Sequence, residues 1–147
     1  MIKLTGIYTL LILGILRTDF QCEKCDIAKV QRAYENLDNL TTEIVGEFLC
    51  TFDTICKVNV EFSQWSNETL FRVLESSPET FFESLKHYKV DRALIIREID
   101  EPIEDFDLQT IYLKIKQTPV SADIDTFKTR ILNSLILAAD KGGQRIE

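Results

Sequence analysis

Residues 42–56 read TEIVGEFLCTFDTIC, and the spacing of their apolar residues decides the fold class. Ile44, Val45, Phe48, Leu49, Phe52, Ile55 and Cys56 recur at three- and four-residue steps. That is the pattern of one helical face, not of an alternating strand. Gly46 stands inside this run, where it costs roughly 1 kcal/mol relative to Ala. Its expected use is the close approach of a neighbouring helix.

The same periodicity extends to both sides. Ile27, Val30, Tyr34 and Leu37 predict a helical face over 25–40, with a break at Asp38-Asn39-Leu40-Thr41. Val58, Phe62 and Trp65 mark a third stripe. Leu70, Val73 and Leu74 continue it out of phase, which predicts a bend near Ser66-Asn67. Ser77-Pro78-Glu79 is a helix start: Ser caps, Pro suits the first helical position, and Glu complements the dipole. Phe81, Phe82, Leu85 and Tyr88 then make the apolar face. Glu98 to Asp107 holds six acids and no base around Pro102, and reads as a solvated acidic linker. Leu108 to Ile115 fits either period, and helix is preferred because its surroundings are helical. Asp123 to Ala139 is a helix with Ile124, Phe127, Ile131, Leu135 and Ala138 on one face, closed by Gly142-Gly143.

The chain has 147 residues, enough for one domain with a core of its own. Its formal net charge is −7, and no cluster of Lys and Arg offers a phosphate-binding surface, so nucleic acid is not an expected partner. With one His, His87, it has no His-rich metal site, and with 5 Gly it has no phosphate-cradling loop. No catalytic residue, metal or cofactor is expected. His87 lacks a nucleophile elbow to serve. The acids of 98–107 lack the spacing of a calcium loop.

The first residues read as a targeting segment. Met1-Ile2-Lys3 is a short basic start, and Leu4 to Leu16 is an apolar run. It is shorter than the roughly 17–25 residues that cross a bilayer as a helix. Residues 1–21 are therefore expected to be a signal peptide, with a short uncleaved anchor as the alternative. Secretion makes the four cysteines, Cys22, Cys25, Cys50 and Cys56, the material of two disulfides, in one of three connectivities. Two sequons, Asn39-Leu40-Thr41 and Asn67-Glu68-Thr69, make Asn39 and Asn67 glycosylation candidates.

Over residues 22–88 these features resemble the saposin-like (saposin B-type) family. Cys22-Glu23-Lys24-Cys25 is similar to that family's C-E-x-C opening. Asn39-Leu40-Thr41-Thr42-Glu43 sits where its members often carry a glycosylated turn. Cys50 and Cys56 resemble the pair that staples the hairpin of helices two and three. Leu74-Glu75-Ser76-Ser77-Pro78-Glu79 resembles the entry to the last helix. The family's two remaining cysteines fall at Phe82 and Tyr88. Cys22 and Cys25 are thus left to pair with each other, to pair with Cys50 and Cys56, or to stay free. The resemblance implies a helical unit that hinges open to lipid, with Phe48, Phe52, Phe62, Trp65, Phe71, Phe81 and Phe82 as lipid-facing candidates. Against it stands the general tendency of Phe to be core.

Two other readings remain. Cys22-Glu23-Lys24-Cys25 as a redox site would need a preceding strand, and none is indicated. The C-x-x-C-D opening also resembles Izumo-type gamete proteins, which carry a second C-x-x-C that this chain lacks. The sequence thus predicts an all-α protein: a signal peptide (1–21), a disulfide-stapled four-helix saposin-like unit (22–88), and an acidic linker with a helical extension (89–147) that either packs on that unit or covers its apolar face. The expected function is non-enzymatic lipid or membrane interaction, secreted or in the endolysosomal lumen. The alternative is a secreted helical factor that binds another protein or a second copy of itself.

Overall fold

The computed structural model describes residues 22–147, so the expected signal segment 1–21 lies outside the described residues. Seven α-helices and no strand are found among them: α1 (Ile27–Glu35), α2 (Thr42–Cys50), α3 (Val60–Ser76), α4 (Pro78–His87), α5 (Arg92–Asp100), α6 (Leu108–Gln117) and α7 (Ala122–Lys141). Short 3-10 segments, Leu37–Asn39 and Thr54–Val58, follow α1 and α2.

Local chemistry sets most helix starts. Asp26, Thr41, Asn59, Asp91 and Asp107 each accept a backbone N–H of the first turn, from Ala28, Ile44, Phe62, Leu94 and Thr110. These satisfy amides that the helix itself leaves unpaired. At Asp107 the Thr110 hydroxyl adds a second bond at 2.7 Å. This bond and the Thr110 amide hold the Asp107 carboxyl below its ordinary pKa. Ser77 precedes Pro78 as expected, but its hydroxyl bonds to Thr80 Oγ1 at 2.6 Å rather than to the backbone.

Three expected elements change form. The pattern over 25–40 ends as a helix at Glu35, where Asn36 turns its amide onto Arg32 O. The run over 42–56 breaks after Cys50, because Asp53 starts a separate 3-10 turn by accepting the Ile55 amide at 3.1 Å. α3 runs unbroken through Ser66-Asn67. At the phase shift Asn67 is turned inward and hydrogen-bonded to the corner after α5. In α6, Leu108, Ile111 and Ile115 are buried while Leu113 is exposed, so the helical period wins over the alternating one.

α3 is the central helix and touches α1, α4, α5 and α6; α2 packs on α4, and α7 on both α5 and α6. One hydrophobic cluster runs from Val30 to Ala139 through every helix. The cluster continues past residue 88, so α5, α6 and α7 pack into the same core as α1 to α4. The segment expected to be an acidic linker contains the end of α5 and a packed corner. Phe106 in that corner is buried and stacks on Phe71 of α3, with centroids 4.5 Å apart and planes within 11°. The Arg72 guanidinium covers the same ring at 5.4 Å. The acids of this corner lie beside an apolar anchor that fixes their backbone.

Candidate interaction surface

The four-residue opening Cys22-Glu23-Lys24-Cys25 is a strap across the end of α2. Cys22 is bonded to Cys50 and Cys25 to Cys56. Lys24 Nζ donates to Cys50 O at 2.7 Å, and the Cys25 amide donates to Thr51 O at 2.9 Å. One cation and one backbone amide thus satisfy carbonyls that the C-terminus of α2 leaves open. The strap holds Cys25 at φ 58°, a left-handed conformation that a side-chain-bearing residue adopts at a cost of roughly 1–2 kcal/mol. This pairing differs from the Cys50–Cys56 hairpin staple that the saposin-like resemblance implies. It ties the head of α1 to both ends of the α2–α3 connection.

The candidate lipid-facing residues divide sharply. Phe48, Phe52, Phe62, Phe71, Phe81 and Phe82 are all buried in the common core. Phe48–Phe52, Phe52–Phe62 and Phe81–Phe82 meet edge to face, a geometry worth about 0.5–1.5 kcal/mol per pair beyond burial. In this closed form they face each other and not a lipid. Trp65 alone is exposed, at 42 %.

The two sequons divide as well. Asn39 is exposed at the end of its 3-10 turn. Asn67 has no exposure. Its Oδ1 accepts the Ile103 amide at 3.0 Å, and its Nδ2 donates to Glu98 O at 2.9 Å. A glycan would need that same nitrogen, so the folded chain offers no acceptor at Asn67. The sequon pattern reads residue type and spacing, and burial is invisible to it.

Gly46 is approached closely, as expected, but by a side chain: the Tyr88 ring at the end of α4 lies on it. Burial pushes the Tyr88 phenol above its ordinary pKa, and the nearby Glu47 carboxylate acts in the same direction. Glu47 is itself buried and receives Arg32 Nη1 at 2.8 Å, which joins α1 to α2. His87 Nε2 lies 3.2 Å from Glu83 Oε1 on the surface of α4. Hydrogen bonds from Lys86, and then from His87, hold the Glu83 carboxyl below its ordinary pKa. Beside it, an open groove of about 1290 Å³ runs between the strap and the α4–α5 connection. Its charged lining mixes signs (Glu23, Lys24, Asp53, His87, Lys89 and Asp91), so it does not select one ligand charge.

The sequence did not single out the surface that stands out most, along the seam of α1 and α3. Cys25 bonds to Cys56, 31 residues on, and the Tyr34 ring meets Trp65, also 31 residues on, at 6.3 Å. The two helices therefore run parallel and nearly in register. Ile27 and Tyr34 lie exposed on α1. At the head of α3, Val58 is 91 % exposed, and Ile55 and Val60 are each 65 % exposed. Single apolar residues in water need no explanation, but Ile55, Val58 and Val60 put three exposed apolar residues within six positions, the densest such run among the described residues. The usable sequence signal was the V-N-V of 58–60 at a helix cap, where a folding role needs only the Asn.

No helix among the described residues is long and apolar enough to cross a membrane, and no cluster of His, Cys, Asp and Glu there could hold a metal ion. No protein-family model, curated protein or solved structure matches the chain. What the structure defines is an all-helical protein with two disulfides. That bonding fits a chain that folds in an oxidising compartment.

Proposed function

We propose that this chain is a secreted or lumenal, non-enzymatic protein-binding factor that works in its closed form through the α1–α3 seam. The observation that carries the reading is the contrast in apolar exposure. Six of the seven aromatic residues that lipid opening would present are core, whereas Ile55, Val58, Val60 and Trp65 are held out in water on a cross-linked surface. Opening α1 away from the α2–α3 connection would strain against both disulfides, which anchor its head. A pre-formed, rigid apolar surface suits a protein partner, because little ordering is left to be done on binding.

The saposin-like resemblance and its lipid function remain the competing proposal, and Trp65 beside Tyr34 is the feature that favours it, since such rings settle at a membrane interface. Co-sedimentation of the oxidised protein with neutral and anionic liposomes at pH 5 and pH 7 separates the two. Protein that stays in the supernatant under all four conditions is the expected result. Sedimentation with the vesicles that is lost in Trp65→Ala would overturn the reading in favour of lipid.

A further inference from the structure

We infer that the occupant of the exposed head of α3 is a second copy of this chain, joined about a twofold axis near Asn59; this rests on the protein-binding reading above. The argument begins with the sequence Lys57-Val58-Asn59-Val60-Glu61. It reads as a charge-complementary palindrome centred on Asn59. If two copies cross antiparallel there, Val58 of each meets Val60 of the other. Lys57 of each then meets Glu61 of the other. A twofold interface requires this reciprocity: whatever residue i touches in the partner must touch residue i in return.

The structure keeps the whole segment available. Residues 57–61 are all exposed, and neither Lys57 nor Glu61 forms an ion pair among the described residues. Asn59 spends its side chain on the Phe62 amide, at 3.1 Å, so the axis falls on a fixed helix cap rather than on a loose loop. The Cys25–Cys56 bond pins the preceding turn. Ile55, two residues before this segment, is also 65 % exposed.

Charge narrows the choice of partner surface. With 24 acidic against 17 basic residues, two copies repel over most of their surface. A self-association site on such a molecule must be locally neutral, and 57–61 carries one charge of each sign. A contact centred on four valines is small against the roughly 800 Å² per partner of a standard interface. The dimer is therefore a weak one, read best over a concentration series.

The test is sedimentation equilibrium of the oxidised, secreted chain from dilute to millimolar protein, with four variants. The expected result is a monomer–dimer equilibrium. Lys57→Glu and Glu61→Lys should each weaken it by roughly fivefold to tenfold, since two symmetric pairs turn repulsive at once. The combined Lys57→Glu/Glu61→Lys variant should restore it, which a merely structural effect would not do. Val58→Asp should leave a monomer, and at 91 % exposure it threatens no fold. A monomer at every concentration overturns the inference. So does a dimer indifferent to Val58→Asp. A monomer that also ignores liposomes leaves the protein-binding reading in place with a different partner. Vesicle binding that is lost in Trp65→Ala overturns the protein-binding reading, and this inference with it.

Discussion

At the scale of single residues, Asn67 shows how one buried amide can close a fold. It reaches from the middle of α3 to both sides of the corner after α5, taking the Ile103 amide and giving to the Glu98 carbonyl. The sequence marked this residue twice, as a bend and as a glycan acceptor; in the fold it lies within an uninterrupted helix with both amide atoms hydrogen-bonded. Polar residues inside an apolar stripe are ambiguous from sequence because their partners lie far along the chain, here 31 and 36 residues away. Replacing Asn67 by Ala leaves a donor and an acceptor unpaired, at about 1–3 kcal/mol each when buried. A loss of about 3 kcal/mol of unfolding free energy in urea is expected. Asn67→Asp sharpens the test. Its carboxylate would face the Glu98 carbonyl and, near 3.3 Å, the Glu98 carboxylate. Its pKa in the fold would therefore rise above the unfolded value. An acid with a raised folded pKa binds more protons folded than unfolded, so its penalty is absent below the unfolded value near 4 and grows as pH rises through the folded one. The variant should lag the parent at pH 7 and recover toward it at pH 4. A lag that does not shrink on acidification would refute the assignment.

At the scale of elements, the contact of α2 with α4 turns on Gly46. The sequence showed that something must approach there. It could not show what, because the approaching group, Tyr88, is the residue just past the end of α4, and where that end falls only the fold reveals. A methyl at Gly46 would fall inside the near side of the Tyr88 ring, at atoms that cannot swing away without moving the ring root. In an exposed helix Gly46→Ala would stabilise by about 1 kcal/mol. Here overpacking, typically 1–3 kcal/mol, works against that gain. The expected outcome is a lower melting temperature for Gly46→Ala. Pairing it with Tyr88→Ala should recover part of the loss, since the space then opens. Additive losses in the double variant would mean that the two residues do not meet. The helices α1 to α4 were legible because each carries its own period and start signal. α5 was not: Arg92–Asp100 holds Leu94, Ile95 and Ile99 at helical spacing, but the acids that follow drew it into the linker.

At the scale of the whole molecule, the reading of 22–88 as a unit with an appended tail meets one continuous core. Cysteine placement made the division look natural, since every cysteine lies before residue 57. Disulfides record where the chain is cross-linked, not where its core ends. Beyond residue 88, Phe106 stacks on Phe71, Ile103 and Glu98 saturate Asn67, and α6 covers the outer side of α3. Cutting the chain at 88 would expose Phe71 and leave Asn67 buried only on one side, while both disulfides stayed intact. A closed single module would survive that cut, and a shared core would not. The fragment 22–88, refolded under oxidising conditions, should therefore lack a cooperative thermal transition. Adding 89–147 as a separate chain should restore one if the halves find each other. The sharpest readout is near-ultraviolet circular dichroism at Trp65. Its ring packs on Tyr34 within the first half, so its signal reports order there and not in the tail. A native-like, cooperatively lost signal from the fragment alone would show that 22–88 is a domain in its own right and would return weight to the saposin-like proposal. A featureless signal would place the fold's minimum at 22–147, with the tail as its second wall.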